Sequence, residues 1–211
     1  RQIILMDYRQ IINDAINVLK EGGVILYPTD TIWGIGCDAT NPEAVAKVYK
    51  IKQRSEAKSL VLPACDLDMV AKHVKQIPSI AIDLVEVNDS PMTIIYPEGQ
   101  YLADNVTAED GSVGIRIPFV DEEELEQGPV AGRMSSAMFC RELIRRFRRP
   151  LVSTSANISG EPSPESFDDI APEVRDAVDY VVPKAIAARC TGRASQIITL
   201  GLDGQVEVIR A

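Results

Sequence analysis

An α/β fold built on a mixed sheet is predicted for this 211-residue chain by three features. Apolar side chains recur at helical spacing over residues 9–21 and give way at once to a short apolar run at 24–28, so a helix leads directly into a strand. A second helical pattern opens at residue 41, and a strand that feeds a helix implies a crossover connection. Near the far end only a short turn containing Leu202-Asp203-Gly204 separates strand patterns at 195–200 and 205–210, which implies an antiparallel hairpin.

The elements follow in order. In the first helix Ile11, Ile12, Ala15, Ile16 and Leu19 share one face, and Gly22-Gly23 ends it. Asn41 is the cap of the second helix, with Pro42 in its first turn and Glu43 beside the positive end of its dipole. Ala44, Val45, Val48 and Ile51 form its inner face, and the helix runs to about residue 52. Further strands are expected at 59–62, 92–96, 112–117, 151–153 and 179–182, and further helices near 66–74, 79–87 and 136–147. No repeat or low-complexity tract interrupts them, and residues 1–211 read as one domain.

Composition narrows the function. Hydrophobic residues make up 45% of the chain, enough for a sizeable core, and the net charge of −9 argues against a protein that wraps nucleic acid. Four cysteines at 37, 65, 140 and 190 form no CxxC pair, so no zinc site or disulfide framework is expected and a reducing cytoplasm fits best. No apolar stretch approaches the roughly 20 residues that cross a bilayer, and no leader segment is seen. The single histidine, His73, lies in the polar-looking stretch AKHVK and is expected at the surface, which leaves no base for Ser-His-Asp or Cys-His chemistry. Walker, HExxH and EF-hand spacings are absent. Gly34 to Ala39 matches the relaxed GxGxxA fingerprint, but Gly34 comes six positions after Pro28 and the next helix waits until Pro42, so the two glycines are read as turn residues.

Three polar constellations remain. Thr29-Asp30-Thr31 stands at the end of a buried strand, where side chains face a ligand crevice or cap a turn. Lys50, Lys52, Arg54 and Lys58 put four cations within nine residues, suited to a polyphosphate or to a helix C-terminus. The hydroxyl-rich stretch STSANISG at 153–160 leaves another strand and is suited to donate to phosphate oxygens, or to form a Ser/Thr/Asn turn.

Taken together and in this order, YPTDTIWGIGCDA, KQR and STSANISG resemble the YrdC/Sua5 family of threonylcarbamoyl-AMP synthases, in its short form without an additional C-terminal domain. SPMTIIYP at 90–97, SVGIRIP at 112–118 and the terminal EVIRA extend the likeness along the chain. The resemblance implies a twisted, open, mixed sheet with a concave, positively lined surface. It implies a nucleotidyltransferase that joins L-threonine, bicarbonate and ATP, with Mg2+, into threonylcarbamoyl-AMP and pyrophosphate. The product serves N6-threonylcarbamoyladenosine formation in tRNA, which brings contact with tRNA and with a threonylcarbamoyl-transferase complex. Carried over residue by residue, Lys52 and Arg54 form the catalytic KxR element that holds phosphates. Lys58, Thr93, Ser155, Asn157, Ser163 and Arg210 join them on the ATP side. Thr31, Arg116 and Ser153 lie on the threonine side. The resemblance gives the protein no metal ligands of its own, and no side chain needs to become covalently attached, because positioning and charge neutralisation supply the rate.

Two departures stand out. Lys58 and Pro63 replace Asn and His of an NPLxxH stretch found in longer relatives, and residues 119–137 lengthen the connection after the Arg116 strand. Two other functions compete: a YciO-like relative of different activity, and a non-catalytic RNA-binding module suggested by RELIRRFRRP at 141–150.

Overall fold

The computed structural model describes residues 7–53, 60–127, 134–186 and 193–210. Helix α1 (Tyr8–Lys20) starts where the Asp7 carboxylate accepts the Arg9 N–H, and it buries Ile11, Ile12, Ala15, Ile16 and Leu19 as the spacing predicts. Strand β1 (Ile25–Pro28) follows and is buried throughout. Helix α2 (Pro42–Lys52) is capped by Asn41, whose side chain accepts from the Glu43 and Ala44 N–H groups, and it ends at Gln53 in the left-handed region.

Between β1 and α2 lies an element that the sequence reading missed. Strand β2 (Trp33–Gly36) pairs antiparallel with β1, from Ile25 opposite Gly36 to Pro28 opposite Trp33. Gly34 and Gly36 are therefore strand residues, not turn residues. Their lack of a side chain is structural, because a Cβ on Gly36 would fall 1.8 Å from the Val152 carbonyl oxygen and one on Gly34 would fall 2.7 Å from Ser153 Oγ. The chain segment after Leu151 lies against β2 only because these two positions are bare.

The remaining strands are β3 (Leu62–Pro63), β4 (Met92–Tyr96), β5 (Val113–Arg116), β6 (Thr154–Ser155), β7 (Tyr180–Val181), β8 (Gln196–Leu200) and β9 (Val206–Arg210). They form two mixed sheets rather than one. The four-stranded sheet has the order β6-β2-β1-β7 and the five-stranded sheet the order β3-β5-β4-β8-β9. Each mixes parallel and antiparallel pairs: β1–β7, β3–β5 and β4–β8 are parallel, β2–β6, β1–β2 and β4–β5 are antiparallel, and β8–β9 is the expected antiparallel hairpin. The edges β3 and β6 are stitched together, since the Ser153 N–H donates to Val61 O at 2.7 Å and the Val61 N–H returns to Ser153 O at 3.0 Å. The predicted strand at 151–153 is this seam, made of isolated bridges rather than a ladder.

Helices α3 (Leu67–His73), α4 (Ser79–Val87) and α6 (Ser136–Phe147) match the predicted patterns, while the short helices α5 (Glu122–Gln127) and α7 (Pro172–Ala177) were not anticipated. Helix α6 packs beside α1 and touches both β1 and β3, so Phe139, Leu143 and Ile144 bury their side chains across the join between the sheets. Each such side chain contributes about 1.5–3 kcal/mol. One connected set of buried residues runs from α1 through both sheets. Among the described residues, no helix is long and apolar enough to cross a membrane.

His73 corrects an expectation. It is 3% exposed rather than at the surface, because the end of α3 packs against residues 97–101. The Gln100 N–H donates to His73 O at 2.8 Å, Val74 bridges Gly99, and the ring Nδ1 lies 3.3 Å from Gln100 O. Burial pushes the imidazole pKa down.

Candidate active site at the join of the two sheets

The seam between β3 and β6 positions the polar side chains singled out above. Thr31 sits in the turn between β1 and β2, Lys52 at the end of α2, Arg116 at the end of β5, Ser153 in the seam, Ser155 in β6 and Arg210 at the end of β9. All of them, with Asn157, Ser163 and Ser195, line one cavity of about 290 Å³. No acidic side chain lines that cavity among the described residues.

On one wall, Lys52 is 6% exposed although it is charged. Its Nζ donates to Ser155 O at 2.8 Å, Asn157 Oδ1 at 3.0 Å and Ser155 Oγ at 3.2 Å. The Ser155 hydroxyl donates to Asn157 Oδ1, and the Asn157 amide is anchored by donating to the carbonyls of Ile158 and Glu161. All of the acceptors around Lys52 are neutral. Burial without a counter-charge lowers its pKa to about 8.

On the opposite wall, Arg116 is 4% exposed. Its Nε donates to Asp30 Oδ1 at 3.0 Å, and the second carboxylate oxygen accepts the Phe119 N–H at 3.2 Å. The Nη1 group approaches Ser195 Oγ at 3.3 Å and Thr93 Oγ1 at 3.4 Å, and Nη2 approaches Thr31 Oγ1 at 3.3 Å. Thr31 is itself set by Thr29, whose hydroxyl lies 3.0 Å from Thr31 Oγ1 and donates to Ile32 O at 2.8 Å. Arg210 reaches the same cavity by donating from Nε to Ser195 O at 2.8 Å. Burial, together with the like charge of Arg116, pushes its pKa down. Lys52, Arg116 and Arg210 thus face a shared space whose walls, among the described residues, supply hydroxyls and amides but no anion. Such a space accepts an anionic ligand.

Of the residues named from the sequence, Thr31, Lys52, Arg116, Ser153, Ser155, Asn157, Ser163 and Arg210 meet on this cavity. Thr93 does not line it; its hydroxyl stands behind Arg116, 2.7 Å from Ser195 Oγ, and the residue faces an adjoining cavity of about 830 Å³. Arg54 and Lys58 lie outside the described residues. Two participants were missed. Asp30 was visible beside Thr31 but was not assigned to the site, although a buried arginine requires a buried carboxylate nearby. Ser195 carried no local signal, since a serine opening a predicted strand looks ordinary. Three of the five arginines at 141–150 are paired within the chain: Glu142 binds Arg145 at 2.6 Å and Arg146 at 3.0 Å, and Asp38 binds Arg149 at 2.8 Å.

Comparison with known proteins places this geometry. A threonylcarbamoyl-AMP synthase of Coxiella burnetii (strain RSA 331 / Henzerling II) is 32% identical over 157 residues, covering 74% of this chain and 75% of that protein. The crystal structure of P. abyssi Sua5 complexed with L-threonine superposes with a TM-score of 0.71 at 23% identity, over 92% of this chain and 52% of that one. This chain therefore spans about half the length of that Sua5. E. coli YciO superposes with a TM-score of 0.70 at 20% identity, over 97% of this chain and 89% of that one. The family model for Sua5, YciO and YrdC, described as "Telomere recombination", matches residues 17–122 and 120–211. With almost the whole chain matched, the protein belongs to the Sua5/YciO/YrdC family.

Proposed function

We propose that this chain is an L-threonylcarbamoyladenylate synthase, which converts L-threonine, bicarbonate and ATP into threonylcarbamoyl-AMP, pyrophosphate and water. The observation that carries this reading is the convergence of Lys52, Arg116 and Arg210 on one cavity that no acidic side chain lines among the described residues. Relatives named threonylcarbamoyl-AMP synthase and a Sua5 bound to L-threonine support it.

In this reading the carboxylate of threonine binds at Arg116, with the Thr31 and Ser153 hydroxyls beside it. The amine adds to bicarbonate and water leaves, giving a carbamate. A carbamate oxygen then attacks the α-phosphorus of ATP, and the bond to the β-phosphate oxygen breaks. Lys52 neutralises charge on the departing pyrophosphate, and Ser155, Asn157, Ser163 and Arg210 hold the nucleotide, with Arg54 and Lys58 completing the phosphate contacts. Val61 lines both the cationic cavity and the adjoining 830 Å³ cavity, which offers Leu60, Ile197 and Ile209 as an apolar floor for the adenosine. The rate comes from holding three reactants together and stabilising developing charge, so no general base is assigned. Magnesium enters as part of the metal–ATP substrate. Residues 1–211 act as one domain in the cytoplasm, and the product is handed to a transferase complex that modifies tRNA.

The family also contains YciO, and its fold does not separate the two readings. What favours the synthase is the relatives that bear that name, about 30% identical to this chain. An RNA-binding module gains little from the arginines at 141–150, since three of the five are already paired within the chain. The test is to supply radiolabelled bicarbonate with ATP and threonine and look for label in threonylcarbamoyl-AMP. No labelled product from clean, folded protein removes the synthase reading.

The depressed Lys52 pKa yields a pH prediction. A bound phosphate stabilises the ammonium form and raises the pKa from about 8, so ATP binding takes up protons above that pH and weakens as pH rises through it. Stability runs the other way. The unfolded chain keeps its proton up to the ordinary 10.5, so the cost of burying the charge is present below pH 8 and is relieved between about 8 and 10.5. Calorimetry of ATP binding in two buffers of different ionisation enthalpy reads the proton uptake; the same apparent enthalpy in both, above pH 8, contradicts it.

A further inference from the structure

Among the described residues one carboxylate holds the Arg116 guanidinium, and it does so differently from its hydroxyl neighbours. The Asp30 contact, at 3.0 Å, is made to Nε on the flank of the group, whereas the Nη1 and Nη2 contacts to Ser195, Thr93 and Thr31 are 3.3–3.4 Å long. A guanidinium pinned at Nε has its plane set while its Nη edge stays available, and two parallel N–H donors on that edge suit a carboxylate. Long hydroxyl contacts are readily exchanged for such a ligand. Asp30 cannot easily turn, because its other oxygen accepts the Phe119 N–H at 3.2 Å and the residue is 3% exposed. Asp30 is not among the residues that line the cationic cavity.

We propose that Asp30 is a positioning residue that aims the Nη edge of Arg116 at the carboxylate of the incoming amino acid without touching that substrate itself. The inference rests on the threonine reading given above. Its chemistry differs from that of a general structural ion pair, because the aimed edge serves one ligand only. The nucleotide is held from the other wall, by Lys52, Ser155 and Asn157, so loss of Asp30 acts selectively on the amino acid.

The test measures binding of L-threonine and of ATP separately, by calorimetry, to the wild-type chain and to Asp30→Ala and Asp30→Asn. Asp30→Ala is expected to weaken threonine binding at least about tenfold and to leave ATP binding within about twofold. Asp30→Asn keeps an oxygen for Nε but loses the Phe119 contact, so threonine binding falls only about threefold, again with ATP unchanged. Unchanged threonine affinity, or equal losses for both ligands, overturns the assignment. Should Asp30→Ala not fold, the Asn variant decides by the same criterion. A wild-type chain that binds ATP but no threonine overturns the functional reading and this assignment with it. A wild-type chain that binds both, beside variants that bind both equally well, overturns the assignment alone.

Discussion

Arg116→Met is expected to destabilise the fold by about 3–5 kcal/mol, because it leaves the Asp30 carboxylate buried without its counter-charge. The pair is almost fully sealed, with both side chains at 5% exposure or less, so water cannot replace the lost partner cheaply. Asp30 would keep only the Phe119 N–H, one donor for a charged group that had two. The energetic origin is the stranded charge rather than the lost attraction, and this has a second consequence. The double variant Asp30→Leu, Arg116→Met removes both charges, so most of the loss is expected to be recovered. Urea unfolding of the two single variants and the double variant measures this directly. A double variant no more stable than Arg116→Met would show that the site depends on the pair for packing instead. Threonine-dependent turnover should remain lost in the double variant even when its stability returns, which separates holding the fold from binding the substrate.

Lys52→Met is expected to lower threonine-dependent pyrophosphate release at least about tenfold while leaving the fold standing. A charge-assisted contact to a phosphate is worth about 1.5–3 kcal/mol, and a loss of that size converts to between about tenfold and about a hundredfold in rate. Met preserves the stem of the side chain and removes the charge. Stability should change little, because two effects oppose each other. The desolvation that lowers the Lys52 pKa is relieved, and Ser155 O and Asn157 Oδ1 lose a donor. These acceptors border a cavity, where water can replace the ammonium. Unaltered pyrophosphate release would take Lys52 out of the phosphate site.

How far the sequence revealed this fold varied with how local each signal was. Helices α1 and α2 were legible because their periodicity and caps, such as Asn41 with Pro42, are written within one or two turns. The β8–β9 hairpin was legible because its turn is short and contiguous. Strand β2 was not. Its WGIG carries two glycines, which lower strand propensity, and their purpose appears only when Val152 and Ser153 arrive from more than a hundred residues away. The split into two sheets escaped notice for the same reason, since the seam between Val61 and Ser153 is a pairing between distant segments. His73 was misplaced because the polar stretch AKHVK does not show that residues 97–101 cover the end of its helix. At the site, hydroxyl and cation clusters pointed to Lys52, Ser155 and Asn157, whereas Ser195 drew notice only once its hydroxyl and carbonyl were found between Arg116 and Arg210. Asp30 lay in plain view, yet its value depends on an arginine eighty-six positions further along.

The most direct measurement is pyrophosphate release from ATP by the purified chain, with threonine and bicarbonate each present or withheld. The synthase reading predicts release only when both are supplied, together with threonylcarbamoyl-AMP in equal amount. Release that is indifferent to threonine or bicarbonate, or none from folded protein that binds ATP, would contradict it.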